Sequence, residues 1–196
     1  MIADDAATRL GRLDSCAVSD ALDRLGLAGA VRGLAPLWPC PRIVGRAVTV
    51  KIKPAGLERS KRHLCTSAIA AAARGDVIVV DNGGRVDVAA WGGLLSLAAQ
   101  LKELGGVILH GGIMEQSCNE EIECAGVQVH PGDLVIADGS GVVFIPRARE
   151  NDVIAVAEAL AEREAGMAAA IRSGRSNVEV MEGMGYESML APQRSD

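Results

Sequence analysis

The sequence predicts an α/β fold of three layers, α/β/β, and three observations predict it. Short apolar runs bounded by glycine at 77–80 and 106–109 flank a helical stretch; with an alternating run at 44–53 they make a parallel β-α-β-α-β core. Beyond residue 109 the runs shorten and are joined by PGD (131–133) and DGSG (138–141), the punctuation of antiparallel hairpins. A long amphipathic helix over 147–173 closes the pattern.

Taken in order, residues 5–25 read as two helices, with Leu10, Leu13 and Ala17 on one stripe and Val18, Ala21, Leu22 and Leu25 on another. Ser15 is the expected N-cap between them and Gly26 the stop. Residues 26–42 are rich in Gly and Pro and irregular, and 44–53 is a valine-rich strand ended by Pro54. Residues 60–74 read as a helix, 77–80 as a buried strand, 94–104 as a helix and 106–109 as a second buried strand. The segment from Gln116 to Val127 reads as a short acidic loop. Strands follow at 127–129, 134–137 and 142–145, then the helix 147–173, expected to bury Val153, Val156, Leu160, Met167 and Ile171. In the tail, Val178, Val180 and Met181 form a docking strip. The 196 residues are expected to be a single domain: N-terminal helices 5–25, core 44–146, C-terminal helix and tail 147–196.

Composition narrows the function. The net charge of −5 argues against nucleic-acid binding, which needs a basic stripe. Trp38, Trp91, Phe144 and Tyr186 are the aromatics, few for a stacking platform. No apolar run is long enough to span a bilayer, so no membrane partner is expected. The acidic start, with no signal-peptide pattern, predicts a cytoplasmic location. The cysteines Cys16, Cys40, Cys65, Cys118 and Cys124 are odd in number and lack C-x-x-C spacing, so they read as small core residues rather than disulfides or zinc ligands.

Two stretches can carry chemistry. In 77–95 a buried strand ends in Asp81-Asn82-Gly83-Gly84, and Gly92-Gly93 opens a helix, which puts free amides and the positive helix end where an open sheet binds anions. The same glycines serve equally as structural punctuation. In 109–116 the next strand ends in His110, followed by Met114 and Glu115. Glu115 suits a hard divalent cation or is a solvated loop acid. His110 suits acid–base work or is a packed neutral imidazole. Cys118 lacks an adjacent activating base and is not expected to be a nucleophile. The expected pocket lies between residues 81–84, 92–95 and 114–116.

Several segments, in this order, carry a family resemblance: LDSCAVSDALDRLGLAGAV (13–31), GRAVTVK (45–51), RGDVIVVDNGG (74–84), WGGLL (91–95) and HPGDLVIADGSGVVFIP (130–146), with the final long helix. Along nearly its whole length the chain resembles the RraA-like family, which includes 4-hydroxy-4-methyl-2-oxoglutarate aldolases, oxaloacetate decarboxylases and the ribonuclease E inhibitor. The resemblance implies a swivelling α/β/β sandwich, a homotrimer, and a site near the subunit boundaries. It also implies that the amides of Gly92, Gly93, Leu94 and Leu95 hold a pyruvyl group and that a divalent metal, Mg²⁺ or Mn²⁺, is held by the acid at Glu115.

Two departures stand out. Met114 occupies the position where the aldolases carry an arginine for the substrate carboxylate, and Met supplies neither charge nor donor. A strand-bearing segment of the family is missing after Gln116, which leaves Glu120, Glu121 and Glu123 to rebuild the site wall. Arg85 is the nearest candidate for the missing cation, or else a surface arginine. The expected function is a metal-dependent lyase cleaving a C–C bond in a small 2-oxo acid. The alternatives are a non-catalytic binding or regulatory protein of the same fold and a different enzyme using the acidic loop.

Overall fold

The computed structural model describes residues 5–52, 65–85, 91–111 and 116–191. Helices α1 (Asp5–Leu10) and α2 (Ser15–Arg24) open the chain. Asp14, not Ser15, caps α2: its carboxylate accepts the Ala17 amide at 2.8 Å. Ser15 is drawn away because its own amide and hydroxyl both donate to Asp138, at 2.9 and 2.6 Å.

Strand β1 (Ala30–Val31) precedes β2 (Ile43–Ile52), on which the sheet is organised. One edge of β2 pairs in parallel with β3 (Val77–Asp81), which pairs in parallel with β4 (Gly106–His110). The other edge is shared between two antiparallel partners, β8 (Leu134–Ala137) along its first half and β5 (Gln116–Cys118) along its second. Strand β9 (Val142–Ile145) pairs with β8 through the turn at 138–141 as expected, and β1 pairs with β9. The result is a mixed sheet of order β1-β9-β8-β2-β3-β4 with β5 beside β2.

Two expectations about turns are corrected. The PGD turn does not join a hairpin, because β7 (Val127–Val129) turns back on β6 (Ile122–Cys124) and not on β8. The acidic stretch after Gln116 is thus β5 and β6, not a loop; Ile122 and Cys124 alternate inward around an outward Glu123.

Three apolar cores stack through the molecule. The first packs α1, α2 and α5 (Glu150–Arg172) on Leu134, Ile136, Val143 and Ile145. The second joins the opposite faces of β8 and β9 to Val77, Val79 and Ile108, sealed by Ile122, Cys124, Val127 and Val129 of the β6–β7 hairpin. The third lies on the far side of β2–β4 and is covered by α3 (Thr66–Ala71) and α4 (Gly93–Leu101). Strand β3 is buried on both faces, which is why it reads as an unbroken apolar run.

Helix ends differ from the pattern in detail. The helix expected at 60–74 is described only from Thr66, since 60–64 lie outside the described residues. The long helix starts with a 3-10 turn, Arg147–Arg149, before α5. It buries Val153, Ile154, Ala157, Leu160 and Met167, while Val156 is half-buried. Ile171 is 41% exposed, because Ala170 is the residue of that turn that meets the core. In the tail, α6 (Asn177–Gly183) buries Val180 but leaves Val178 and Met181 exposed; the further anchor is Met189 on α7 (Tyr186–Leu190). Cys65 and Cys124 are core residues as expected and Cys118 is half-buried, but Cys16 and Cys40 are exposed.

Candidate functional site

Register places three polar side chains in one row. Lys51, Asp81 and His110 are direct partners across β2, β3 and β4, near or at the carboxyl ends of the strands. Side chains alternate faces along a strand, so Asp81 follows Val77 and Val79, and His110 follows Ile108, onto the face of the second core. That face is covered by the β6–β7 hairpin. Lys51 Nζ stands 4.0 Å from Asp81 Oδ2 and His110 Nδ1 stands 3.9 Å from Asp81 Oδ1. Asp81 is buried, and its Oδ1 accepts the Gly83 amide at 2.9 Å.

The two strand ends are laced together by backbone. The His110 carbonyl accepts the Asn82 amide at 2.9 Å and the Gly84 amide at 3.2 Å. Gly111 lies so close to the 81–85 loop that a Cβ there would sit 2.3 Å from Arg85 N; its φ of +89° suits glycine. Asn82 is 4% exposed, and its Nδ2 has no hydrogen-bond partner among the described residues. From the hairpin side, the Ala125 amide donates to His110 Nδ1 at 3.1 Å.

The expected anion nest belongs to the other face. Helix α4 has Gly92 as its N-cap, and a glycine has no side chain with which to cap the first-turn amides. Leu95 and Trp91 pack on the third core with Ile78, Val80 and Leu109. Leu94 points outward, 85% exposed. The Trp91 indole donates to Ser96 Oγ at 2.9 Å, which in turn donates to the Gly92 carbonyl at 3.2 Å and stiffens the turn.

The expected residues therefore divide. His110 and the 81–85 loop are in contact, and Gly92, Gly93, Leu94 and Leu95 open a helix on the opposite face of the same strands. Arg85 is half-buried, with its amide donating to the Asn82 carbonyl at 3.4 Å. Met114 and Glu115 lie outside the described residues. Lys51 and Ala125 were missed. Lys51 needed the strand register; Ala125 needed the hairpin, whose pattern of I-E-C, a two-residue turn and V-Q-V is legible as alternation around A-G.

Among the described residues no group of three His, Cys, Asp or Glu side chains could hold a metal. Asp81 is engaged by Lys51 and the Gly83 amide, so the row does not by itself fit a divalent cation. The two buried thiols are held in the protonated form. Burial, and then the neighbouring Asp81, push Cys124 up to about 12; burial, and then Cys118, do the same for Cys65. A cleft of about 220 Å³ lies away from this site, between α2 and β1–β9, and is lined by Ser15, Ser19, Asp20, Val31 and Gly141. Among the described residues no helix is long and apolar enough to cross a membrane.

Comparison with known proteins agrees with this architecture. The sequence model of the family described as RraA-like, Aldolase/RraA, matches residues 15–115 and 112–144. Protein DlpA of Legionella pneumophila is 28% identical over 201 residues, which cover 89% of this chain and 33% of DlpA. The chain thus spans about a third of that relative's length. A Halalkalibacterium halodurans protein named "Putative 4-hydroxy-4-methyl-2-oxoglutarate aldolase" is 28% identical over 177 residues, 76% of this chain and 80% of that one. Among solved structures, an uncharacterized protein from Pseudomonas syringae pv. tomato superposes with a TM-score of 0.79 at 27% identity, covering 93% of this chain and 95% of that one. Streptomyces coelicolor RraAS2 shares the fold with a TM-score of 0.69 at 19% identity, covering 82% of this chain and 94% of that one.

Proposed function

The chain belongs to the RraA-like family, and from that premise we propose that it is a lyase cleaving a C–C bond in a small 2-oxo acid. The observation that carries this reading is the glycine N-cap of α4: Gly92 brings no side chain to the amides of Gly93, Leu94 and Leu95. Such a turn favours a carboxylate or an enolate oxygen through its N–H groups and the helix dipole. The named relative from Halalkalibacterium supports the reaction class.

On this reading Gly92 lets the oxo-acid end approach the backbone, and the amides of residues 93–95 hold it. Arg85, beside the strand ends, supplies the positive charge that Met114 does not. His110 faces the same strand ends from the hairpin side. A divalent metal, Mg²⁺ or Mn²⁺, would be held by Glu115 and would stabilise the enolate left by cleavage. The exposed stripe of Leu94, Leu97 and Leu101 on α4 supports a homotrimer, since these residues recur on one helix face and are 85%, 51% and 78% exposed.

Met114 also favours a second reading, a non-catalytic binding protein that keeps the fold and the amide nest. The test assays oxaloacetate and 4-hydroxy-4-methyl-2-oxoglutarate with Mg²⁺, together with Mg²⁺ calorimetry, on the wild type and on Glu115→Ala. Slow metal-dependent turnover abolished by Glu115→Ala is the expected result. No turnover and no metal binding in the wild type would overturn the lyase reading and leave the binding one.

A further inference from the structure

We infer that His110 is a neutral hydrogen-bond donor, its Nε2–H presented to a ligand oxygen at the strand ends, and that the Ala125 amide is the group that positions it. The assignment begins with hydrogen-bond polarity. The Ala125 N–H donates to His110 Nδ1 at 3.1 Å. A nitrogen that accepts cannot carry a proton, so in this arrangement the ring proton is on Nε2. Asp81, the one carboxylate described beside the ring, does not compete: its Oδ1 is 3.9 Å from Nδ1 and already accepts the Gly83 amide.

The donor faces the loop. A Cβ on Gly84 would lie 3.3 Å from His110 Nε2 and 3.6 Å from Cε1, so this edge of the ring is turned towards the glycine turn. The side chain is 25% exposed. The row across β2–β4 fixes its surroundings: Lys51 holds Asp81 from one side, and the Asn82 and Gly84 amides hold the His110 carbonyl from the other.

The hairpin is built to make this contact. Cys124 pairs with Val127, which leaves a two-residue turn of Ala125 and Gly126, both at positive φ (+49° and +87°). Such turns ordinarily place Asn, Asp or Gly first, and alanine in the left-handed region is disfavoured. The strained residue is the one whose amide meets His110, a placement that fits strain held at a functional contact. An N–H donor held in place before the ligand arrives suits a carboxylate or enolate oxygen. The ligand named here, a 2-oxo acid, rests on the proposed lyase reading; the tautomer and its positioning do not.

The experiment is two-bond ¹H–¹⁵N correlation of the imidazoles in the unliganded protein labelled with [¹⁵N]histidine, with His110 assigned by its loss in His110→Gln. The expected signature is a neutral ring protonated at Nε2. An Nδ1-protonated ring, or an imidazolium at pH 7.5, would overturn the inference. Oxalate, a planar enolate mimic, is then titrated with Mg²⁺ into the wild type, His110→Gln and His110→Asn. Gln can place an N–H near the Nε2 position and Asn cannot, so Gln should bind within about threefold of wild type and Asn about two- to tenfold more weakly, the range of one neutral hydrogen bond. Equal binding by both variants defeats the donor role even if the tautomer is as stated. If the wild type does not bind oxalate, the 2-oxo acid reading falls, and the ligand named here falls with it, while the tautomer is decided by the unliganded spectrum alone.

Discussion

Gly111→Ala is the sharpest probe of how the two strand ends are joined. Two costs add at this position. An alanine forced to φ +89° pays for the left-handed region, about 1–2 kcal/mol. Its Cβ would also meet Arg85 N at 2.3 Å, Arg85 O at 2.6 Å and the Gly84 carbonyl carbon at 2.6 Å, all backbone atoms that cannot swing aside. Overpacking of this kind costs about 1–3 kcal/mol. Gly174→Ala is the control: its φ is +94°, and nothing lies within 4 Å of the added Cβ, so only the backbone cost applies. The difference between the variants should be about 1–3 kcal/mol, which corresponds to about 2–12 °C in melting temperature for a chain of this size. Differential scanning calorimetry of both variants against wild type reads it directly. Equal melting temperatures would show that the 81–85 loop does not pack on the end of β4, and the contact between Arg85 and His110's neighbour would have to be abandoned.

Other outcomes follow from the same geometry. Burial alone would raise Asp138, but hydrogen bonds from Ser15 Oγ, Ser15 N and Ser140 N, with Arg42 nearby, hold it below the ordinary carboxylate range. Its contribution to stability is therefore present above the unfolded value, near about pH 4, and is lost as pH falls through the folded value; Ser15→Ala should move the acid limb of urea stability to higher pH and remove about 1.5–3 kcal/mol at neutrality, whereas an unmoved limb would refute the account. Thiol titration with Ellman's reagent on the native protein should label exposed Cys16 and Cys40 rapidly and Cys65 and Cys124 only on unfolding; rapid labelling of Cys124 would mean that the hairpin does not seal the second core. If α4 carries the proposed homotrimer interface, Leu97→Glu combined with Leu101→Glu should give a monomer by light scattering with the circular dichroism spectrum retained, and an assembly that survives both charges would place the interface elsewhere.

Much of the fold follows from local chemistry. Strand β3 is legible because burial on both faces demands an unbroken apolar run, and β8 and β9 because a DGSG turn between short apolar strands admits little else. The stripe that binds α5 to the sheet is legible from helical spacing, except at Ile171, where exposure depends on what packs on the last turn. Ser15 departs from the expected capping role for a related reason. Serine and aspartate cap helices equally well, and the choice between Asp14 and Ser15 is made by Asp138, which lies far along the chain and claims both Ser15 donors.

The candidate site divides along the same line. Which segments could carry chemistry is legible locally, because glycines at a strand end and before a helix start are local signals: Asp81, His110, Gly92 and Gly93 are all visible without partners. How they are grouped depends on long-range pairing. Strand register set Lys51 beside Asp81 and Asp81 beside His110, and the two-residue periodicity of the strands turned that row toward the hairpin while α4 covered the other face. The acidic stretch folds as strands three residues long, and the pairing of β5 with β2 is a long-range contact that the composition of the stretch does not announce. The amide that the Ala125–Gly126 turn offers to His110 comes from a contact between separate elements of the chain, and periodicity along one segment carries no information about that.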